Sequence, residues 1–166
     1  MKFSEKSMEE KTLVLIKPDG LMKSLTGNII TTLSETKLKI VGAKIVKVSR
    51  KLAEKHYNNL KEEQIKKWGE EKGNKIYEDT LDFIQGRFHT DRVLALVYQG
   101  EDAIKKIKEL AGATNPEKAN PVSIRGKYGR INSETKVFEN VMHCSDSIEN
   151  AIREIGLWFK KNELAE

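Results

Sequence analysis

Residues 13–20 have the sequence LVLIKPDG, and this stretch decides the fold class. Its first four residues form a short, continuous apolar run, which is typical of a buried strand. Pro18, Asp19 and Gly20 follow almost at once and predict a turn, because proline and glycine end regular structure. We therefore expect Lys17 at the end of a core strand, where its charge is fixed on a rigid element.

The chain beyond this strand alternates between helical and strand-like patterns. Residues 27–36 and 103–111 carry apolar side chains at helical spacing, whereas residues 38–48 and 93–98 favour strands. Residues 137–142 predict the last core strand. Strands separated by helices at these intervals predict one α/β sandwich.

Two further segments are expected at the surface. Residues 51–79 are dense in lysine and glutamate and predict short surface helices. Residues 114–123 include Pro116 and Pro121, which exclude a long helix or a central strand and so predict an ordered loop.

Length and composition favour one cytoplasmic domain. The 166 residues suit a single domain over 1–166, with a polar N-terminal extension at 1–10 and a C-terminal tail at 160–166. Cys144 is the only cysteine, which excludes an internal disulfide and fits a reducing compartment. No stretch has the apolar length of a secretory signal or a membrane span. The net charge of +5 suits anionic ligands such as nucleotides, and equally weak contact with nucleic acid.

His143, in the sequence NVMHCSDS at 140–147, is the candidate nucleophile. A neutral imidazole has a free lone pair at physiological pH and can attack phosphorus. Asp146 and Glu149 predict a capping box, which would place His143 between a strand end and a helix N-terminus, where an incoming phosphate is stabilised. The alternatives are a structural histidine or a Ser-His-Asp hydrolase, but the motif of a serine nucleophile is absent.

Phosphates have no standard binding loop in this sequence, because it contains neither a Walker motif nor a dinucleotide fingerprint. Lys17, Thr114 and Arg125 are candidate phosphate ligands, since a lysine or arginine charge and a hydroxyl suit phosphate oxygens. The usual metal-binding motifs are also absent. We therefore expect Mg²⁺ to arrive with the nucleotide rather than in a protein site.

In chain order, several segments resemble the nucleoside diphosphate kinase family. They are residues 17–20 (KPDG), 56–57 (HY), 112–116 (GATNP), 124–126 (IRG), 140–147 (NVMHCSDS) and 154–159 (EIGLWF). The resemblance implies a ferredoxin-like βαββαβ fold with a four-stranded antiparallel sheet. It also implies a ping-pong transfer of the γ-phosphate of a nucleoside triphosphate to a nucleoside diphosphate.

The resemblance also implies a role for each matching residue. His143 would carry the phosphate, Glu154 would orient its imidazole, and Ser145 would support that glutamate. Lys17 would contact the γ-phosphate, and Tyr57 would lie beside the histidine. The remaining matches are Thr114 and Arg125 for phosphates and Asn140 for sugar hydroxyls. Mg²⁺ would come with the nucleotide, and copies of the chain would form a homo-oligomer, either a dimer, a tetramer or a hexamer.

The chain departs from the family pattern at a few positions. Lys108 stands where the family has a second arginine, which keeps the charge but loses the bidentate fork. The segment after Tyr57 is longer than usual, so that Ile76 or Tyr77 are the candidates for contact with the base. Val122 replaces a usual glycine, and residues 130–136 form an extension expected as a surface loop or hairpin.

Two rival functions compete with catalysis. A non-catalytic relative that binds nucleotides or nucleic acid would explain the basic charge, since ferredoxin-like folds also build RNA-binding modules. It would not need His143, Tyr57 and Glu154 together. An inactive scaffold is disfavoured because the nucleophile and nearly all its expected partners are present.

Overall fold

The computed structural model describes residues 9–165, and an antiparallel sheet of four strands forms its centre. Within the described residues, the strands of the main sheet are β1 (Glu9–Ile16), β2 (Lys39–Val46), β3 (Val93–Glu101) and β6 (Met142–Cys144). Two further strands are β4 (Arg130–Ile131) and β5 (Phe138–Glu139). The sheet has the order β2-β3-β1-β6, and β4 and β5 form a separate hairpin. Of the predicted extension 1–10, Glu9 and Glu10 belong to β1, and residues 1–8 lie outside the described residues.

Helices cover both faces of this sheet. They are α1 (Pro18–Met22), α2 (Thr26–Ser34), α3 (Arg50–His56), α4 (Leu60–Trp68), α5 (Glu70–Ile84), α6 (Ala103–Ala111), α7 (Ile124–Tyr128) and α8 (Ile148–Trp158), with 3₁₀ turns at Pro116–Lys118 and Lys161–Glu163. Within residues 9–165, none of the helices has both the length and the apolar character needed to cross a membrane.

Successive residues of β1 alternate between two hydrophobic clusters. Leu13 and Leu15 pack with residues of α3, α5 and α8, whereas Val14 and Ile16 pack with residues of α2, α6 and α7. All four side chains are fully buried. The continuous apolar run therefore reflects a strand that is covered on both faces.

The topology is the expected ferredoxin-like βαββαβ fold. Strands β1 and β2 are joined through α2, and β3 and β6 through α6, while β2 and β3 are neighbours in the sheet. Helices α3, α4 and α5 are inserted in the connection between β2 and β3. The hairpin of β4 and β5 is inserted before β6. Of the two alternatives expected for residues 130–136, a surface loop or a hairpin, the structure has the hairpin, which extends to Glu139.

The predicted last core strand, residues 137–142, is wrong in its position. Val141 adopts a left-handed backbone with a φ of 62°, which is rare for a β-branched residue and interrupts the strand. Strand β5 pairs instead with β4, and β6 begins after the break at Met142. His143 therefore lies inside β6, opposite Leu15, rather than between a strand end and a helix start.

Two helix starts also differ from the predictions. A turn was predicted after β1, but the structure has the short helix α1, which begins with Pro18. Proline suits the first position of a helix, because the N–H of that residue has no partner within the helix. Helix α8 is capped by Ser147, whose hydroxyl accepts a hydrogen bond from the N–H of Asn150 at 3.1 Å. The capping box predicted for Asp146 and Glu149 is thus wrong, because the helix starts one residue later.

One of the predicted surface helices enters the core. Helix α5 has 15 residues, and Tyr77, Leu81 and Ile84, which share one face of it, belong to the hydrophobic cluster of Leu13 and Leu15. Gly73 allows α4 and α5 to pack closely, because a Cβ at this position would lie 2.5 Å from the backbone of Ile65. The prediction of surface helices is therefore wrong for α5.

The turn after β1 is docked against the segment before β6. The N–H of Lys17 donates to the carbonyl of Val141 at 2.9 Å, and the N–H of Val141 donates to Asp19 Oδ2 at 3.0 Å. Gly20 completes the contact, because a Cβ there would lie 2.8 Å from the Val141 carbonyl oxygen. The contact connects Lys17 to the strand that carries His143.

Substituting Gly20 with alanine is therefore expected to destabilise the protein. The new Cβ would clash with the Val141 carbonyl oxygen at 2.8 Å, and relief requires a backbone shift. We expect a loss of about 1–3 kcal/mol in the free energy of unfolding, measured by urea denaturation.

The matched control is Gly27→Ala in α2, where nothing lies within 4 Å of the added Cβ. Alanine is the better helix former, so this variant is expected to keep or raise stability by up to about 1 kcal/mol. Equal stability of the two variants would contradict the docking argument.

Candidate active site

His143 lies on the wall of a cavity of about 500 Å³ that opens beside the end of β1. Pairing of β6 with β1 places the imidazole there, with 23% of its side chain exposed. The cavity brings together most of the residues predicted for the site, namely Lys17, Tyr57, Ile76, Lys108, Thr114, Arg125, Asn140, His143 and Glu154. Ser145 lies behind this wall and is fully buried.

A hydrogen-bonded chain fixes the orientation of the His143 imidazole. Its Nε2 lies 3.0 Å from Glu154 Oε2, and the same oxygen accepts a hydrogen bond from Ser145 Oγ at 2.6 Å. Ser145 Oγ in turn accepts from the N–H of Leu13 at 3.2 Å. Because a carboxylate accepts the Nε2 proton, the neutral imidazole has its free lone pair on Nδ1.

Glu154 remains ionised although it is buried. Burial alone would raise its pKa, but the hydrogen bond from His143, the positive charge on that ring when protonated, and the Ser145 hydroxyl outweigh it and lower the pKa. An ionised Glu154 can stabilise positive charge on the imidazole as Nδ1 attacks a phosphate.

His56 is a second histidine in contact with the first, and sequence reasoning assigned it no role. The ring centroids of His56 and His143 are 4.5 Å apart in an edge-to-face arrangement. The indole Nε1 of Trp158 donates to His56 Nδ1 at 3.2 Å, which fixes the tautomer. Burial, followed by the charge of the neighbouring His143, lowers the pKa of His56 well below its ordinary value. His56 is therefore neutral beside His143.

Tyr57 follows His56 and lies in the same cavity wall. Its ring packs on His56 at a centroid distance of 4.8 Å. Burial, and then the negative charge of Glu154, raise the pKa of its hydroxyl above the ordinary value. Tyr57 therefore presents a neutral hydroxyl that can donate a hydrogen bond to an anion in the cavity.

Lys17 is a buried cation held by the segment that leads into β6. Its Nζ donates to Asn140 Oδ1 at 2.7 Å and to the Phe138 carbonyl at 3.1 Å. Burial lowers the pKa of Lys17 to about 8, while the charge of Asp19 opposes this shift. Lys17 is thus still charged at neutral pH, and its charge is sensitive to its surroundings.

The other predicted phosphate ligands also line the cavity. Arg125 is buried, and its guanidinium donates to the carbonyls of Gly112 and Met142 at 2.8 and 3.3 Å. Thr114 is exposed, and its carbonyl accepts from Asn140 Nδ2 at 2.7 Å. Lys108 lies at the rim, where its Nζ donates to the carbonyl of Asp146.

The end of the cavity lined by α4 and α5, here called the apolar end, carries apolar side chains among polar ones. One of the two residues predicted to contact the base does not line it. Ile76 lines the cavity, whereas Tyr77 packs into the hydrophobic cluster of α3, α5 and α8. Neighbouring residues of a helix point about 100° apart, which separates the two. Leu60 and Trp68 of α4 line the same end, and Trp68 is 43% exposed. A large aromatic on an otherwise charged helix was the sequence signal that could have identified Trp68.

The comparisons with known proteins agree on one family. The protein-family model described as Nucleoside diphosphate kinase matches residues 10–164 of the chain. The chain belongs to the nucleoside diphosphate kinase family. The curated kinase of Carboxydothermus hydrogenoformans is 42% identical over 155 residues, which cover 93% of this chain and 91% of that protein. The kinase of Staphylococcus aureus is 39% identical with the same coverage.

Solved kinases of this family also share the fold. The kinase of Borrelia burgdorferi, a transition state mimic with bound vanadate and ADP, superimposes with a TM-score of 0.80 and 32% identity. The match covers 95% of this chain and 91% of that one. For the NDP kinase of Pyrobaculum aerophilum the TM-score is 0.82, with 29% identity and coverages of 96% and 100%.

The function of the family settles the choice between the predicted activities. The chain is a phosphotransferase that moves a phosphate from a nucleoside triphosphate to a nucleoside diphosphate. The rival prediction of a non-catalytic binder gives way to this enzyme. The site described above is the candidate place for the transfer.

The pKa of Lys17 predicts the alkaline limit of the kinase. A lysine loses its positive charge as the pH rises through its pKa, so kcat/KM should fall as the pH rises through about 8. In kcat, which reports the nucleotide-bound enzyme, the fall should come at higher pH, because phosphate charges favour the ammonium form.

The measurement is a steady-state pH profile with ATP as the donor. A kcat/KM that stays flat until about pH 10, the ordinary range of a lysine, would contradict the role of Lys17.

Proposed function

We propose that His143 carries the phosphate between the two nucleotides as a phosphohistidine. The observation that supports this most directly is the hydrogen bond that His143 Nε2 donates to the Glu154 carboxylate, which leaves the lone pair of Nδ1 free. In the first transfer a bond forms between Nδ1 and the γ-phosphorus. The bond from that phosphorus to the bridging oxygen breaks, and the nucleoside diphosphate leaves with the electron pair.

The second transfer reverses this step with a different acceptor. A terminal oxygen of the incoming diphosphate attacks the phosphorus, the bond from phosphorus to nitrogen breaks, and the electron pair returns to Nδ1. The same residues serve both directions, because the donor and acceptor occupy one cavity in turn. This is the ping-pong cycle that the family resemblance implies.

The polar groups of the cavity would divide the work of binding and orientation. Lys17 would hold the transferred phosphoryl group, and Arg125, Thr114 and Lys108 would hold the phosphates behind it. Asn140 would bind a sugar hydroxyl, although both ends of its amide already have protein partners. Tyr57 would donate to the phosphate beside the nucleophile, and Ser145 would hold Glu154 in place.

Magnesium is expected as part of the nucleotide substrate. In residues 9–165 the only group with three potential metal ligands is His56, His143 and Glu154, and the Glu154 carboxylate is engaged with His143. The charged groups placed for the phosphates, Lys17, Arg125 and Lys108, are cations and do not bind Mg²⁺. The residues therefore fit a nucleotide that brings its own ion, coordinated by its phosphates.

The base would bind at the apolar end of the cavity, against Trp68 and Ile76. An aromatic face attracts any base by stacking, which fits a kinase that accepts several nucleotides. The Nζ atoms of Lys67 and Lys72 lie over the Trp68 ring, 5.1 and 4.1 Å from its centroid, and a base that stacks on the same face would displace them. Of the earlier candidates, this assignment keeps Ile76 and drops Tyr77.

Assembly and location remain predictions. Strand β2 is at the edge of the sheet and exposes Ile40 and Ile45, which supports association between copies of the chain. The tail limits that edge, because the N–H of Ala165 donates to the Val41 carbonyl at 2.7 Å. The homo-oligomer, the cytoplasmic location and the single domain over 1–166 all stay predictions.

The phosphohistidine can be tested by intact-protein mass spectrometry. After mixing with ATP and Mg²⁺ but no acceptor, the protein should gain one phosphate, and GDP should then remove it. His143→Ala should gain none, because its side chain has no nucleophile.

The control is Cys144→Ala, which replaces the next residue, a buried thiol whose pKa burial raises. This variant should be phosphorylated like the unchanged protein. Stoichiometric phosphorylation of folded His143→Ala would refute the assignment.

The base contact can be tested by substitution of Trp68. Trp68→Ala should raise the KM for ATP about tenfold and the KM for GTP similarly, because stacking does not depend on base identity. Trp68→Phe should lose less, since it keeps an aromatic face.

The control is Tyr77→Phe, which removes the hydroxyl of the residue that packs into the core. Its KM values should be unchanged. An unaltered KM in folded Trp68→Ala would show that the base binds elsewhere.

A further inference from the structure

Glu139 is a buried acid between the two residues that hold Lys17. The residue before it, Phe138, supplies a backbone carbonyl to Lys17 Nζ, and the residue after it, Asn140, supplies its side-chain oxygen. Glu139 itself points away from solvent, with 2% relative exposure. Any movement of its backbone therefore displaces both of the groups that hold the Lys17 ammonium.

Three side chains fix the Glu139 carboxylate. Its Oε2 accepts from Arg130 Nε at 2.5 Å, across the β4–β5 pair. Its Oε1 accepts from Asn132 Nδ2 at 2.9 Å and lies 3.3 Å from His89 Nε2. These partners come from the hairpin and from the segment before β3. The carboxylate thus anchors the hairpin extension to the body of the protein.

Burial of Glu139 would favour its neutral form, yet it remains charged. The hydrogen bonds from Arg130 and Asn132 outweigh the effect of burial, and the pKa of Glu139 is lowered. A carboxylate of this kind, placed one residue from the ligands of a buried lysine, acts on that lysine through its charge. A neutral amide has the same size, but its NH₂ end could not accept from Arg130 or Asn132, and it could not exert this electrostatic effect.

The charges around Lys17 come from several elements. Asp19 of α1 and Glu139 of β5 favour the ammonium form, whereas Arg125 of α7 disfavours it. His56 of α3 also lies within electrostatic range of Lys17, and it is neutral because it is buried. Glu139 is therefore one of two acids that compensate for the burial of Lys17 and for the charge of Arg125.

We propose that Glu139 is a positioning residue for phosphoryl transfer, which holds the Lys17 ammonium in place and in its charged form without touching the nucleotide. The inference rests on the proposed contact between Lys17 and the transferred phosphate. It gives the hairpin extension a function in the reaction in addition to its place on the surface. The simpler role, an anchor that only stabilises the hairpin, makes different predictions.

The test compares Glu139→Gln with the unchanged protein. The amide keeps the size of the side chain and removes its charge, so the pKa of Lys17 should fall. Competitive acetylation at a series of pH values, followed by peptide mass spectrometry, measures that pKa without any phosphoryl transfer. In the steady-state assay the alkaline limb of kcat/KM should move to lower pH, and kcat/KM at neutral pH should fall about tenfold.

Matched variants separate charge from stability. Glu134→Gln, at an exposed position of the same hairpin, should change neither the Lys17 pKa nor the pH profile. Glu139→Asp keeps the negative charge, so the Lys17 pKa in this variant should stay close to that of the unchanged protein. The double variant Arg130→Gln/Glu139→Gln replaces the ion pair with two neutral amides and provides the test if Glu139→Gln alone fails to fold. Because Glu139 acts on Lys17 through its charge, the Lys17 pKa should fall in this variant too.

The outcomes are distinct. If Glu139→Gln melts at a lower temperature but leaves the Lys17 pKa and the alkaline limb unchanged, Glu139 is only a hairpin anchor and the proposal is overturned. If the folded double variant Arg130→Gln/Glu139→Gln leaves the Lys17 pKa unchanged, the electrostatic argument is also overturned. If the unchanged protein forms no phosphohistidine, the proposed role of His143 fails, while the acetylation result still decides whether Glu139 controls Lys17.

Discussion

The antiparallel pairing of β1 with β6 is the constraint on which the site depends. It sets Leu15 opposite His143 and ends β1 so that Lys17 leaves the sheet beside the nucleophile. The same register lets Ser145 exchange hydrogen bonds with the backbone of Leu13. Ser145, held in this way, donates a hydrogen bond to Glu154. One pair of strands therefore fixes the positions of His143, Lys17 and Ser145. A slip of one residue would turn His143 into the opposite face.

Placing Lys17 in this position opposes folding. Its pKa falls from 10.5 to about 8, and this corresponds to a cost of roughly 3 kcal/mol at neutral pH relative to an exposed lysine. Because the folded pKa is lowered, the cost is complete below pH 8 and disappears as the pH rises toward 10.5. This cost is what remains after the charges of Asp19 and Glu139, which raise the pKa, have opposed the effect of burial. Such a cost at a binding site is expected where an anionic ligand later provides the missing charge.

The sequence predicted the parts of this structure that depend on periodicity, and missed those that depend on local backbone geometry. The apolar run of β1 and the helical stripe of α6 were recognisable because both bury a continuous face. The break at Val141 was not, since a β-branched residue with positive φ has no sequence signal and is imposed by the contact with Asp19 and Gly20. The direction of side chains could not be predicted either. Because the segment of α4 and α5 is longer than in the family pattern, the sequence did not show that Ile76 and Trp68 face the cavity.

The two extensions that departed from the family pattern both reach the cavity. Helices α4 and α5 supply Trp68 and Ile76 at its apolar end, and the β4–β5 hairpin supplies Val137 and Phe138 next to Lys17. The nucleophile and its acid, in contrast, lie on β6 and α8, which pack directly on β1. Groups that must be aligned within tenths of an ångström need this rigid support, whereas base stacking tolerates displacement. The division explains how the chain can alter its nucleotide contacts through inserted segments while the geometry of phosphate transfer stays tied to the central sheet.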